Sequence, residues 1–514
     1  MRPRPTFVSL VLAALVAVPA FALVQPAQAS GDVFDAMVPT RADDGHLTPV
    51  TVYVADATPA PTLLWGHGWA GNRGSAAGDG AFFTANGYNV VAMDFRGHGA
   101  ARSTSMARVH DVDKEIQDVI GVIDWIAAQP WAALDAAGDP TLGALGGSYG
   151  GGYQLLTAAF DDRLDALAPE ITWNHLPTSL APNGGIKSAW VDLLYGGGTA
   201  QASLDPLIHE AFAWAMSTND FPDGQLPGEP DVVTLFERNS PSSYPDAIDV
   251  PTLLVQGTPD TLFNLNQALD NARQIAATGA QVKLFTHLGG HILSSEGTIP
   301  GGPPDSGLQP PSGPSPCGSV KDAVLAWYDH HFKGAPDTLP AAQLGVDDGS
   351  CVTLETVDFA SASPLGAPTT FVIDLDGPSL VTGTRSGARA NGLALRDTSS
   401  WRLDAFETGV VVAGPPRLRA DLAVLGGEAI VYFGLESGRS RPDLDVINSQ
   451  LTPVRLPPGR HAIDVELGAV VGALSPGEAL FLTAVVWTGQ HAQNPSREPS
   501  AVFAHAVSVD VPMR

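Results

Sequence analysis

Residues 145–154 read LGGSYGGGYQ, which sets one serine, Ser148, among five glycines within seven positions. The chain holds 55 glycines in 514 residues, and at that frequency G-x-S-x-G arises by chance in roughly one chain in three. The motif therefore needs support from its surroundings. Thr141–Leu145 is a short apolar run of the kind that forms a buried parallel strand, and a helix is expected after Ser148. A serine on a sharp strand-to-helix turn is lifted out for attack. Gly146 and Gly150 would leave room for such a turn, and Gly151 and Gly152 would let the helix lie close on the strand.

Outward from this stretch, residues 50–331 alternate between strand and helix patterns. Thr62–Trp65, Asn89–Met93, Leu164–Ala168, Thr252–Val255 and Val282–Phe285 are further short apolar runs flanked by turn residues. Ile116, Val119, Ile120, Ile123 and Ile126 share one helical face, and a helix over Val320–Phe332 puts Val324, Leu325 and Tyr328 together and stops near Gly334. This rhythm predicts an α/β fold, a parallel sheet with helices on both faces. It breaks between about residues 172 and 248, which read as a cap inserted over the carboxyl edge of the sheet. Gly301–Pro316 reads as a surface loop. From Cys351 the helical period disappears. Runs such as Thr369–Leu375, Ala429–Phe433, Ala479–Trp487 and Ala501–Val511 predict an all-β, antiparallel sandwich over 351–514, following an α/β region over 30–345.

The first 29 residues read as a signal peptide. Arg2 and Arg4 precede the apolar run Phe7–Val18, and Ala27-Gln28-Ala29 is a small-x-small cleavage site. Pro19 leaves that run too short to span a bilayer comfortably. A secreted protein is expected, with no membrane attachment after cleavage. The net charge of −27 would repel phosphate backbones and disfavours nucleic acid as a partner. The only cysteines are Cys317 and Cys351; an even count in an oxidising compartment suggests a disulfide tying the end of one region to the start of the next, two free thiols being the alternative. No cofactor or metal is expected. His330-His331 lacks partners at ligand spacing and reads as a solvated helix face.

If Ser148 is a nucleophile it needs oxyanion donors, an acid and a base, in a set chain order. Leu63–Trp69 (LLWGHGW) supplies a strand and then a loop, with the Trp69 backbone N–H as one donor and that of Tyr149 as the other. His67 in that loop is expected to hold it by hydrogen bonds. Asp260 follows the strand Pro251–Val255 and is preferred over Asp249, which lies at the wrong end. His291 follows the strand Gln281–Leu288 and is preferred over His287.

Gly146–Gly152 with Gln154-Leu155-Leu156, PEITW at 169–173 and DFRGHG at 94–99, followed by a β region, resemble the serine X-Pro dipeptidyl-peptidase family, which also contains cocaine-esterase-like acyl hydrolases. The resemblance implies an α/β-hydrolase with an inserted helical cap and a jelly-roll-like carboxyl-terminal domain. It implies Ser148 as nucleophile, His291 as base, Asp260 as its orienting acid, and structural roles for Arg96 and His98. A small-molecule ester or a short peptide is the expected substrate. The rival reading is a secreted binding protein, retired from catalysis, whose β-sandwich holds carbohydrate or polymer on aromatics such as Trp401, Tyr432 and Trp487.

Overall fold

The computed structural model describes residues 31–42, 44–293, 315–375, 377, 379–384, 398–440, 443–491 and 499–514. The segment read as a signal peptide, and most of the loop read at 301–316, lie outside the described residues.

Ten strands form the first sheet: β1 (Val33–Pro39), β2 (Leu47–Tyr53), β3 (Thr62–Gly66), β4 (Asn89–Met93), β5 (Leu142–Gly147), β6 (Ala166–Glu170), β7 (Thr252–Gly257), β8 (Val282–His287), β9 (Ala342–Gly345) and β10 (Cys351–Leu354). Their spatial order is β1-β2-β4-β3-β5-β6-β7-β8-β9-β10. From β4 to β9 neighbours run parallel, as the buried apolar runs required. The expected all-parallel sheet is corrected at both edges, where β1–β2, β2–β4 and β9–β10 are antiparallel. The links between β1 and β2 and between β9 and β10 are too short for a crossover helix, so those chains can only turn back. β10 also moves the changeover between regions. Cys351–Leu354, read as the start of the β part, is the tenth strand of the α/β sheet.

Alternate strand residues divide between two cores. Leu64, Val91 and Leu167 face helices α2 (Glu115–Ala127) and α3 (Tyr149–Ala158), whereas Leu63, Trp65, Val90 and Phe285 face α1 (Ala77–Ala85) and α9 (Val320–Lys333). On α9, His330 and His331 are half-buried, which corrects their reading as a solvated face. The His331 ring meets Trp327 edge-on at 4.1 Å, and burial lowers its pKa to about 4. Between β6 and β7 lie four helices, α4 (Leu176–Leu180), α5 (Ser188–Gln201), α6 (Pro206–Thr218) and α7 (Val232–Arg238). Local chemistry starts two of them. The Asp205 carboxylate accepts from Leu207 N–H with Pro206 in the first turn, and that of Asp231 accepts from Thr234 N–H. Helix α8 (Leu265–Thr278) then joins β7 to β8.

The chain after β10 folds into antiparallel sheets of seven and five strands. In Arg417–Gly426 the buried Leu418, Ala420, Leu422 and Val424 alternate with the exposed Arg417, Arg419 and Asp421 and the half-buried Ala423. They meet Val431, Phe433, Leu480 and Leu482 of the other sheet, so the two sheets form a sandwich. Tyr432 is 1% exposed and is core rather than a binding platform. The sandwich does not stand apart. Leu254, Leu265 and Leu269 of the α/β part share one apolar cluster with Ala413, Ala469 and Val471. Cys317 and Cys351 are bonded, and with Cys351 in β10 this bridge staples the approach to α9 onto the first sheet rather than joining two regions.

Candidate active site

Strand β5 ends where Gly146 and Gly150 both press on the carbonyl oxygen of Gly66 in β3; a Cβ at either would collide with backbone that has nowhere to go. Between these two glycines Ser148 takes φ 60° and ψ −119°, a conformation costly for a side-chain-bearing residue. Its backbone is held from both sides. Ser148 N–H donates to Glu170 O at 2.9 Å, and its carbonyl accepts from the Thr172 hydroxyl at 2.9 Å.

The residues expected at the ends of β7 and β8 converge on that hydroxyl. His291 Nε2 lies 2.8 Å from Ser148 Oγ, and His291 Nδ1 lies 2.6 Å from Asp260 Oδ2. A carboxylate only accepts, so Nδ1 carries the ring proton and Nε2 accepts from the serine. The same Asp260 Oδ2 accepts from the His291 backbone N–H at 3.0 Å, while Oδ1 accepts from Leu262 and Phe263 N–H at 2.9 and 2.8 Å. Ser148, Asp260 and His291 are 3%, 0% and 6% exposed. Trp190 and Phe263 meet the imidazole edge-on, and Trp190 Nε1 donates to the Thr261 hydroxyl at 3.1 Å. A hydroxyl bonded to a neutral imidazole, itself anchored on a carboxylate, can release its proton as it attacks a carbonyl.

The backbone N–H groups of Trp69 and Tyr149, the expected oxyanion donors, have no intramolecular partner among the described residues. The Trp69 indole donates to Leu194 O of α5 at 2.8 Å, tying the loop after β3 to the cap. His67 serves that loop as expected. Nδ1–H donates to Gly68 O at 2.7 Å, Nε2 accepts from Phe95 N–H at 3.2 Å, and burial lowers its pKa to about 4. Arg96 is structural too, forked onto Asp118 at 2.6 and 2.8 Å and onto Asp44 at 2.7 and 3.1 Å. His98 Nδ1–H donates to Arg96 O at 2.8 Å. His287 lies against Glu170, 3.1 Å away, and accepts from Gly289 N–H. Sequence reasoning missed the buried Glu115, which accepts from Arg108 N–H, Asp111 N–H and the Tyr149 hydroxyl beneath the turn; burial raises its pKa to about 8.

Ser148 opens into a pocket walled by the cap. Leu176 and Leu180 of α4, Val191 and Leu194 of α5, Ile208, Ala211 and Phe212 of α6 and Val232 and Phe236 of α7 line it, above Trp69, Tyr149, Trp173 and Phe263. None of its described lining residues carries a formal charge. The polar atoms of its aromatics are engaged with protein partners: Trp173 Nε1 with Asn239 O, the Tyr149 hydroxyl with Glu115 and the Tyr195 hydroxyl with His209. Among the described residues no group of side chains is suited to hold a metal ion.

Fold and site together define a serine hydrolase of the α/β-hydrolase class. Residues 44–293 match the family model described as X-Pro dipeptidyl-peptidase (S15 family). A Mycobacterium bovis protein named as a serine esterase is 34% identical over 135 residues, which are 26% of this chain and 20% of that protein. A bifunctional esterase/perhydrolase of Acinetobacter calcoaceticus is 35% identical over 82 residues, 16% of this chain and 29% of its own length. The chain thus matches under a third of these curated relatives. Solved structures match along nearly the whole chain. A CocE/NonD family hydrolase from Staphylococcus aureus has a TM-score of 0.62 at 13% identity, covering 93% of both chains. An α-amino acid ester hydrolase has a TM-score of 0.62 at 13% identity, covering 98% of this chain and 100% of its own. At such identities the likeness is one of fold.

Proposed function

We propose that this chain is a secreted carboxylester hydrolase that works through an acyl-enzyme on Ser148, with His291 as general base and Asp260 as its anchor. Ser148 Oγ attacks the ester carbonyl while His291 Nε2 takes its proton and then delivers it to the leaving alkoxide. Water, deprotonated by the same nitrogen, releases the acid and restores the serine. The Trp69 and Tyr149 N–H groups receive the tetrahedral oxyanion, each contact of this kind typically contributing about 3–4 kcal/mol to the barrier reduction. The carrying observation is the continuous hydrogen-bonded chain Ser148–His291–Asp260 at the floor of an apolar pocket.

The pocket supports an uncharged acyl or alkyl group over a peptide's free amino terminus. A dipeptidyl-peptidase must hold an ammonium, and no carboxylate lines this pocket among the described residues. Secretion is supported by the amino-terminal segment and by the disulfide. The test compares p-nitrophenyl esters of increasing acyl length with Xaa-Pro p-nitroanilides, free and blocked, using the mature protein and Ser148→Ala. Ester turnover lost in Ser148→Ala is expected. Turnover confined to free-amine Xaa-Pro substrates would replace the ester reading by a peptidase, and silence on both series would favour a retired binding protein.

A further inference from the structure

The peptide groups that carry Asp260 and His291 are closed by residues from two other parts of the molecule. On the acid loop, Leu262 O accepts from the Lys187 ammonium at 2.8 Å, just before α5, and Phe263 O accepts from the Gln256 amide at 2.9 Å. Thr261 N–H donates to His291 O at 2.8 Å, locking the acid loop to the base loop. The carbonyl of Asp260 itself, fully buried, would be left without a donor by the α/β part. Its partner is Gln450 Nε2 at 2.8 Å, from the sandwich, 190 residues downstream. On the base loop, Leu293 O accepts from Gln490 Nε2 at 3.0 Å, again from the sandwich, and that same amide reaches Ser449 O at 2.7 Å. Two glutamines, 5% and 2% exposed, therefore grip both loops and are joined to each other through Ser449–Gln450.

We propose that Gln450 and Gln490 are positioning residues: the sandwich sets the acid and base loops in register with Ser148. Gln450 fixes the peptide that carries the Asp260 carboxylate, and Gln490 fixes the strand of loop that leaves His291. Neither touches substrate. The inference rests on the assignment of Ser148, His291 and Asp260 proposed above. A buried carbonyl that loses its donor turns toward another, and a shift of about 1 Å in a reacting group lowers turnover by roughly a hundredfold.

The test uses the full mature chain carrying Gln450→Met or Gln490→Met, which keep the volume and remove the donor. Val431→Ala, in the sandwich core away from both loops, is the control for lost stability. Turnover of a p-nitrophenyl ester is normalised to the folded fraction, taken from a melting curve in the same buffer. Each glutamine variant should lose roughly ten- to a hundredfold in kcat with KM within about twofold, and Val431→Ala should lose neither. Glutamine variants that match Val431→Ala in kcat would overturn the proposal, as would a loss expressed in KM alone. Ser148→Ala run alongside separates the two levels. If it retains turnover, the site assignment falls and this inference with it. If it is silent while both glutamine variants keep their kcat, only the positioning role falls.

Discussion

Asp260→Asn tests the site through an asymmetry in how the carboxylate is held. Oδ2 accepts from His291 Nδ1–H and from the His291 backbone N–H, while Oδ1 accepts from the N–H groups of Leu262 and Phe263. An asparagine must present its NH2 to one of these pairs. Turned toward Leu262 and Phe263, it strands two buried N–H groups and leaves the imidazole as it was. Turned toward His291, it strands one, because the ring can answer by moving its proton to Nε2. The second arrangement is favoured by one orphaned donor, about 1–3 kcal/mol. It puts the wrong tautomer against Ser148. The productive arrangement is then outnumbered roughly 5- to 150-fold, so kcat should fall by about that factor at constant KM. That is milder than the factor of about 10⁴ that loss of the correct tautomer costs in full. The assay is steady-state ester hydrolysis at neutral pH on protein verified as folded by circular dichroism. A kcat within about twofold of the parent would refute the reasoning, because His291 would then need no acceptor at Nδ1.

Filling the pocket with Ala211→Leu should shorten the preferred acyl chain by about two to three carbons, each methylene lost from the pocket being worth about 0.8 kcal/mol, or roughly fourfold in kcat/KM. An unchanged chain-length profile would put the acyl group elsewhere. Burial lowers the pKa of Lys187 from 10.5 to about 8, so between those values the unfolded chain holds more protons at this site, and its contribution to stability rises with pH. The melting temperature of the parent relative to Lys187→Met should accordingly climb from pH 8 to 10, and a flat difference would contradict it. Reducing the Cys317–Cys351 bridge, which closes a loop of 34 residues, should remove about 4 kcal/mol from stability, read by denaturant melts with and without dithiothreitol.

Much of the site was legible because its residues sit where chain direction puts them. In a parallel sheet every strand ends at the same edge, so a serine, an aspartate and a histidine each directly after an apolar run are brought together by topology alone. Ser148 could be recognised from its glycines, since a contact as close as Gly150 against Gly66 leaves a mark in composition. The edge strand β1 left none. Four of its seven residues are exposed and only Val38 is fully buried, so apolar Val33 and Met37 stand on the open face and hide the strand's period. Cys351 misled for a related reason, since a four-residue β run does not say which sheet it joins. The two glutamines were invisible for a deeper one. A side chain donating to a main-chain carbonyl places no demand on the sequence at the accepting end, so no motif links Gln450 to Asp260. The pocket's neutrality was likewise unreadable, because it depends on where Glu115 and His209 turn their polar atoms.

The reach of Gln450 and Gln490 back to the acid and base loops also bears on the order in which the chain is made. Synthesis delivers Ser148, Asp260 and His291 while both glutamines are still to come, so a nascent α/β part carries the three side chains of the proposed triad with the Asp260 carbonyl unclaimed and that of Leu293 met by the Thr261 hydroxyl at 3.4 Å. If the two glutamines position the acid and base loops as proposed, full turnover waits for the last strands to pack beside the first sheet, and a chain that stops before them works roughly ten- to a hundredfold more slowly.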